Sequence, residues 1–114
     1  MNHFTAKSLV EGGLHQRDGV WADIGAGTGV FTEVLRDLLE AGTVYAVDKS
    51  PHSLWRLPKM EQPQLIIEDA NFTRPMNLPM LDGIIMANAL HYTNEPIKTL
   101  HNILQHLKKG GRFI

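Results

Sequence analysis

The chain contains no cysteine, which excludes a disulfide framework, a thiol nucleophile and a thiolate metal site. It also lacks a surplus of either charge: 11 Lys and Arg stand against 12 Asp and Glu, for a formal net charge of −1. Proteins that grip nucleic acid through its phosphates carry a basic stripe, so this balance argues against a nucleic-acid partner. No apolar run approaches the roughly 18 residues of a membrane span, and Met1 is followed by polar Asn2 and His3 rather than by a leader-type segment. These absences predict a soluble, cytoplasmic chain with no membrane partner. Internal repeats, low-complexity tracts and linkers are missing too, so residues 1–114 read as a single domain with one core, near the low end of the common size range.

The most informative segment is Val20-Trp21-Ala22-Asp23-Ile24-Gly25-Ala26-Gly27-Thr28-Gly29. A short apolar strand runs straight into glycines at alternate positions, and an amphipathic stretch follows. A backbone that turns this sharply and comes this close to a bound molecule needs residues without a Cβ, so the loop points to a nucleotide-type cofactor at the carboxyl end of a first strand. The dinucleotide fingerprint would need a small residue where Val30 stands. The spacing is G-x-G-x-G instead.

Thr43 to Val47 suits a second strand and ends in Asp48, 19 residues after Gly29. That is near the distance at which α/β nucleotide folds set a carboxylate on ribose hydroxyls, whose two donors its oxygens can accept. Ser50-Pro51 reads as a helix start, with Ser50 at the N-cap. A short helix is expected there, cut off by Pro58 and Pro63.

Elsewhere, Phe4, Leu9 and Val10 predict a short leading helix over residues 3–11, ended by Gly12-Gly13. Phe31, Val34, Leu35 and Leu38 recur at helical spacing within residues 28–40, with Glu33, Arg36, Asp37 and Glu40 on the other side. Gln64 to Glu68 predicts a third strand, Asn71 to Leu81 a loop containing Pro75 and Pro79, and Asp82 to Met86 a fourth strand. Asn94-Glu95-Pro96 opens a last helix with Ile97, Leu100, Leu104 and Leu107 on one face and Lys108 and Lys109 at its solvated end. Gly110-Gly111 would stop it before a strand begins at Arg112-Phe113-Ile114. Strands alternating with helices at such short intervals make βαβ units with right-handed crossovers, so the fold class is α/β with a parallel sheet.

Four blocks, Asp23 to Gly29, Ala46 to Ser50, Glu68-Asp69-Ala70 and Leu81 to His91, make residues 18–114 resemble the class I S-adenosylmethionine-dependent methyltransferases, in particular their small-molecule, type 11-like members. The resemblance implies a Rossmann-like three-layer α/β/α sandwich with a mostly parallel sheet in the strand order 3-2-1-4-5, and S-adenosyl-L-methionine as cofactor. It implies that Asp23, Gly25, Ala26, Gly27 and Gly29 wrap the methionine part and that Asp48 binds the ribose. Asp69 would bond the exocyclic amino group of adenine, with Ala70 and Asn71 supplying backbone groups beside the ring. The residue after the ribose carboxylate often packs on adenine; here it is Lys49, of which only the aliphatic stem can do so.

Asn88, Ala89, Leu90 and His91 would line the transfer site, where cofactor and acceptor meet. Displacement at a sulfonium methyl depends on placing the nucleophile about 3 to 3.5 Å from the methyl carbon. Where the acceptor carries a proton, His91 is the candidate catalytic base, its ordinary pKa of about 6.5 suiting the task. Packing or capping of the loop by His91 is the alternative. Amino-group methyltransferases acting on nucleobases or glutamine show Asn-Pro-Pro-Tyr here; Asn88-Ala89-Leu90-His91 disfavours that acceptor and leaves a small molecule. His101 and His106 lie five apart and cannot share a helix face as a metal pair, so no metal is expected.

The family sheet has two more strands after the fifth, and these are absent here. The expectation is an amino-terminal, cofactor-binding portion of a longer protein of roughly 170 to 250 residues, with an open sheet edge prone to self-association. Three activities follow: methyl transfer to a small molecule, S-adenosylmethionine binding by a non-catalytic or partner-activating subunit, and, least in keeping with Val30, NAD-dependent oxidoreduction.

Overall fold

The computed structural model describes residues 3–87 and 93–114. Five strands, β1 (Val20–Ile24), β2 (Thr43–Asp48), β3 (Gln64–Asp69), β4 (Leu81–Ile85) and β5 (Leu107–Phe113), alternate with α1 (His3–Gly13), α2 (Val30–Leu38) and α3 (Pro96–Leu104). They form one sheet in the order β3-β2-β1-β4-β5. Every pairing is parallel. The expected class, a Rossmann-like α/β fold, is the one observed, and its strand order reverses beside β1, where open α/β sheets bind ligands.

Two apolar layers hold the sheet. On one face Ala6 and Val10 of α1 and Val34, Leu35 and Leu38 of α2 pack against Trp21, Val44 and Ile85. On the other, Ile103 of α3 and the loop residues Phe72, Met76 and Leu78 cover Ala22, Ile24, Val47, Leu81 and Ile84. Each fully buried aliphatic or aromatic side chain contributes about 1.5 to 3 kcal/mol, so the central strands, buried on both faces, anchor the fold. At Gly83, the β4 partner of Trp21 in the register, a Cβ would stand 2.2 Å from the Trp21 ring.

Several elements differ from the sequence reading. The segment after β2 is not an α-helix but a turn followed by a single 3-10 turn, Leu54–Arg56. Ser50 caps no α-helix, because the residues after it close turn and 3-10 bonds, Leu54 and Trp55 donating to the Pro51 carbonyl and Leu57 to Leu54; its amide donates to the Asp48 carboxylate at 2.8 Å. α3 ends at Leu104, and Leu107 to Lys109 belong to β5 rather than to a helix end. The cause is pairing: Leu81 donates its amide to the His106 carbonyl at 2.7 Å, and Lys108 reaches Asp82 at 3.3 Å, which draws this stretch onto β4. Ile97, placed on the core face by its spacing, is 85% exposed, while Thr99 and Ile103 are buried. In α1 the inward residues are Ala6 and Val10, with Phe4 and Leu9 exposed. Arg36, assigned to the polar side of α2, is buried. Leu81 begins β4 instead of ending the preceding loop.

Candidate functional site

The carboxyl ends of β1, β2 and β3 meet at one edge of the sheet, and three loops converge there. β1 runs into Gly25, Gly27 and Gly29, all in the left-handed region with φ of 73°, 58° and 93°. The amides of Gly25 and Ala26 both donate to the Val47 carbonyl, at 2.8 and 2.9 Å, so the loop is stitched to the end of β2. Gly27 stands at the crest. A Cβ there would meet nothing within 4 Å, so its backbone borders open space that a ligand can approach closely.

Asp48 ends β2 and faces this loop. Its Oδ2 accepts from the Gly27 amide and its Oδ1 from the Ser50 amide, each at 2.8 Å. Each oxygen keeps a further lone pair, so the carboxylate is fixed in orientation and can still accept from donors of a ligand. Asp69 is its direct neighbour across the β2–β3 register. It is exposed, and its carboxylate has no hydrogen-bond partner among the described residues. The Ala70 amide donates to the Asp48 carbonyl at 3.2 Å, which ties the third loop to the second. Asn71 closes a turn, its Oδ1 accepting from the Thr73 amide at 3.0 Å and the Thr73 hydroxyl at 2.7 Å. Lys49 is exposed beside Asp48.

Asp23 occupies a different place. It is 2% exposed, lies beneath the loop, and accepts from the Thr32 hydroxyl of α2 at 2.8 Å. Burial pushes its pKa up from 3.8 to about 7, the Thr32 hydrogen bonds oppose the rise, and the charge of Asp48 adds to it. The group is closed to solvent and ties the end of β1 to α2. Thr32, which the sequence reading missed, is the partner that makes this possible; its only signal was a hydroxyl among the inward positions of an amphipathic helix. Asn88, Ala89 and His91 lie outside the described residues.

The structure thus brings Gly25, Ala26, Gly27, Gly29, Asp48, Asp69 and Ala70 to one edge. Two hollows of about 540 and 360 Å³ lie elsewhere, around the first turn of α3, lined by Glu95 to Lys98 with His101 and by Thr73, Arg74 and Thr93 with neighbours. Neither is bordered by the glycine loop. The converging acceptors and the Cβ-free crest make this edge the candidate site, because they present oriented polar groups to open space at Gly27. The half-buried carboxylate of Asp48 and the exposed one of Asp69 accept hydrogen bonds and offer none, which suits a ligand rich in hydroxyl and amino donors. Among the described residues no three metal-ligating side chains gather, and no helix is long and apolar enough to cross a membrane.

Residues 22–113 match the family model of the methyltransferase domain. Among solved structures, the chain resembles one from the complex between the Haloferax volcanii Trm112 methyltransferase activator and a methyltransferase, with 25% identity, a TM-score of 0.79 and coverage of 97% of this chain and 49% of that one. A SAM-dependent methyltransferase from Aquifex aeolicus aligns at 22% identity and a TM-score of 0.77 over 90% of this chain and 58% of its own. The Burkholderia thailandensis 1,6-didemethyltoxoflavin-N1-methyltransferase, solved with its substrate and S-adenosylhomocysteine, aligns at 22% identity and a TM-score of 0.79 over 97% and 49%. The chain spans about half the length of these structures. No curated protein matches it. A family match over most of the chain, on a sheet of this order with a glycine loop at its switch point, means that the chain belongs to the class I methyltransferase domain family.

Proposed function

We propose that this domain binds S-adenosylmethionine at the edge formed by Gly25 to Gly29, Asp48 and Asp69, and that the protein transfers its methyl group to a small-molecule acceptor. The observation that carries the reading is the Asp48 carboxylate, pinned beside the glycine loop by the amides of Gly27 and Ser50 with acceptor capacity left on each oxygen. In this reading Asp48 accepts from the ribose hydroxyls, Asp69 accepts from the adenine amino group, and the backbone of Gly25, Ala26, Gly27 and Gly29 lies along the methionine portion. Ala70, the stem of Lys49, Asn88 and Ala89 complete the surroundings of the adenosine. Asp23 is assigned a supporting part through Thr32.

The cofactor supplies a methyl group on positively charged sulfur, which leaves in a single displacement. Orienting donor and acceptor accounts for much of the rate in such a step. His91 is the residue we assign to take up a proton where the acceptor carries one. The bound form of a dinucleotide is disfavoured by Val30, which opens α2 and packs against the core where the dinucleotide turn requires a small residue. The Burkholderia thailandensis neighbour, solved with S-adenosylhomocysteine and a small-molecule substrate, supports the cofactor and acceptor class by analogy.

Calorimetric titration of the protein with S-adenosylmethionine and with NAD tests the reading. Saturable heat with the first and none with the second is expected; saturation by NAD alone overturns it. Formation of S-adenosylhomocysteine in the presence of a pool of small metabolites then separates transfer from binding alone.

A further inference from the structure

The guanidinium of Arg36 is a feature that the fold alone does not require. It sits on α2 with 2% exposure, in a position whose spacing assigns it to solvent. Nη1 donates to Glu33 Oε1 at 2.7 Å, one helical turn earlier, and Nη2 donates to the carbonyl of Pro58. Its Nε has no partner among the described residues. A charged group is held out of water only where its contacts compensate the lost hydration, so this side chain is anchored at both of its terminal nitrogens.

Pro58 closes the segment that follows β2. Turn and 3-10 bonds give that segment its local shape, Leu54 and Trp55 donating to the Pro51 carbonyl, Arg56 to Ser53 and Leu57 to Leu54. Its place against the glycine loop and α2 is fixed at three points. At its start Ser50 donates to Asp48. In its middle Leu54 and Leu57 roof Gly29, and a Cβ built there would stand 3.2 and 3.1 Å from their methyl carbons. At its end Arg36 holds the Pro58 carbonyl. Gly29 leads directly into α2, which carries Arg36, so the contacts form a closed ring: α2, glycine loop, Asp48, strap, and back to α2 through the guanidinium.

We propose that Arg36 is a positioning residue for the cofactor site, closing this ring so that the strap over Gly29 keeps Asp48 and the crest of the glycine loop in their binding arrangement. The inference rests on the proposed S-adenosylmethionine site. Its physical content is preorganisation: a strap released at Pro58 can move away from Gly29, and the Ser50 and Gly27 amides then lose their fixed acceptor, so ligand binding must restore the order. Arginine suits the position because its planar fork presents two donors in fixed directions, here to a carboxylate and a backbone carbonyl at once. Lysine's three donors radiate from a single nitrogen, so it cannot occupy both prongs of that fork.

Amide hydrogen exchange of the protein without ligand tests this, comparing wild type with Arg36→Met, which keeps an unbranched buried side chain. Protection at Gly27 and Ser50 is expected to fall about tenfold further than at Trp21 and Ala22, which lie in the sheet centre and report global opening. The dissociation constant for S-adenosylhomocysteine is expected to rise by about the same factor, with Arg36→Lys intermediate. Loss of protection by one common factor at all four amides, or none at Gly27 and Ser50, overturns the proposal and leaves Arg36 a stability residue only. If Arg36→Met does not fold, Leu57→Ala, which thins the roof over Gly29 without touching the guanidinium, is measured with the same expected and overturning patterns. Because exchange is read without ligand, a failure of S-adenosylmethionine to bind would refute the site and leave the positional result standing.

Discussion

Asp48 holds the crest of the glycine loop: its Oδ2 lies 2.8 Å from the amide nitrogen of Gly27, so the end of β2 and the turn after β1 are one unit. A carboxylate that already organises the loop and keeps acceptor capacity toward open space has two reasons to matter for binding. Replacing it with alanine removes both. Asp48→Ala is expected to weaken S-adenosylmethionine binding by roughly 1.5 to 3 kcal/mol, the range for hydrogen bonds to a charged group. Calorimetry measures it, and an unchanged affinity takes Asp48 out of the site.

Gly27→Val separates folding from binding. At φ 58° a branched side chain is strained, but its Cβ meets no protein atom within 4 Å. The expected stability cost is therefore the backbone term alone, about 1 to 2 kcal/mol, while cofactor binding is lost because the side chain fills the approach to the backbone. Urea unfolding and calorimetry on the same variant give the two numbers. Unimpaired binding would place the ligand elsewhere. Met76→Ala is the contrast: Met76 packs against the β4 face of the core, so it should lower stability and leave affinity unchanged.

The buried Asp23 gives the protein a defined pH dependence. With its folded pKa raised from 3.8 to about 7, the folded state holds more protons than the unfolded state between those values. Stability therefore declines as pH rises through this window, by at most about 1.4 kcal/mol per pH unit, and is recovered on acidification. Asp23→Asn leaves an acceptor for Thr32 and removes the titration. The difference in unfolding free energy between variant and wild type should widen in the variant's favour from pH 5 to pH 7, by urea denaturation; a constant difference contradicts a buried titrating carboxyl.

Gly83→Ala tests the close approach of β4 to β1. Its Cβ would lie 2.2 Å from Cζ3 of Trp21, a buried ring with no room to withdraw. Overpacking of this kind costs about 1 to 3 kcal/mol. A lower urea midpoint with unchanged cofactor affinity is expected, and an unchanged midpoint would contradict the packing described.

The sheet and the glycine loop were legible in the sequence because local signals and tertiary packing agree there. Val20 to Ile24, Thr43 to Val47 and Gln64 to Glu68 are apolar or branched runs bounded by turn residues, whereas the strand order came only from the family resemblance. What was not legible depends on partners distant in sequence. Ser50-Pro51 carries a helix-start pattern, yet the segment closes into a turn and a 3-10 turn, with Leu54 and Leu57 against Gly29 and the Pro58 carbonyl on Arg36, and no α-helix forms. Leu107 fits the period of α3, yet pairing with Leu81 moves it into β5. Arg36 looks solvated until the Pro58 carbonyl, 22 residues later, is seen to meet it. For the candidate site, Asp48 stood out by its place at the end of a strand and Asp69 by the family resemblance, and the register sets the two side by side. The inward turn of Asp23 was not legible, because it depends on the hydroxyl of Thr32 arriving from α2.

Amide chemical-shift mapping on ¹⁵N-labelled protein during titration with S-adenosylmethionine tests the central claim most directly. The account predicts saturable shifts concentrated at Gly25, Gly27, Gly29, Asp48, Asp69 and Ala70, with the same affinity read at each. Saturable binding whose shifts gather elsewhere, with these six amides unmoved, would contradict it.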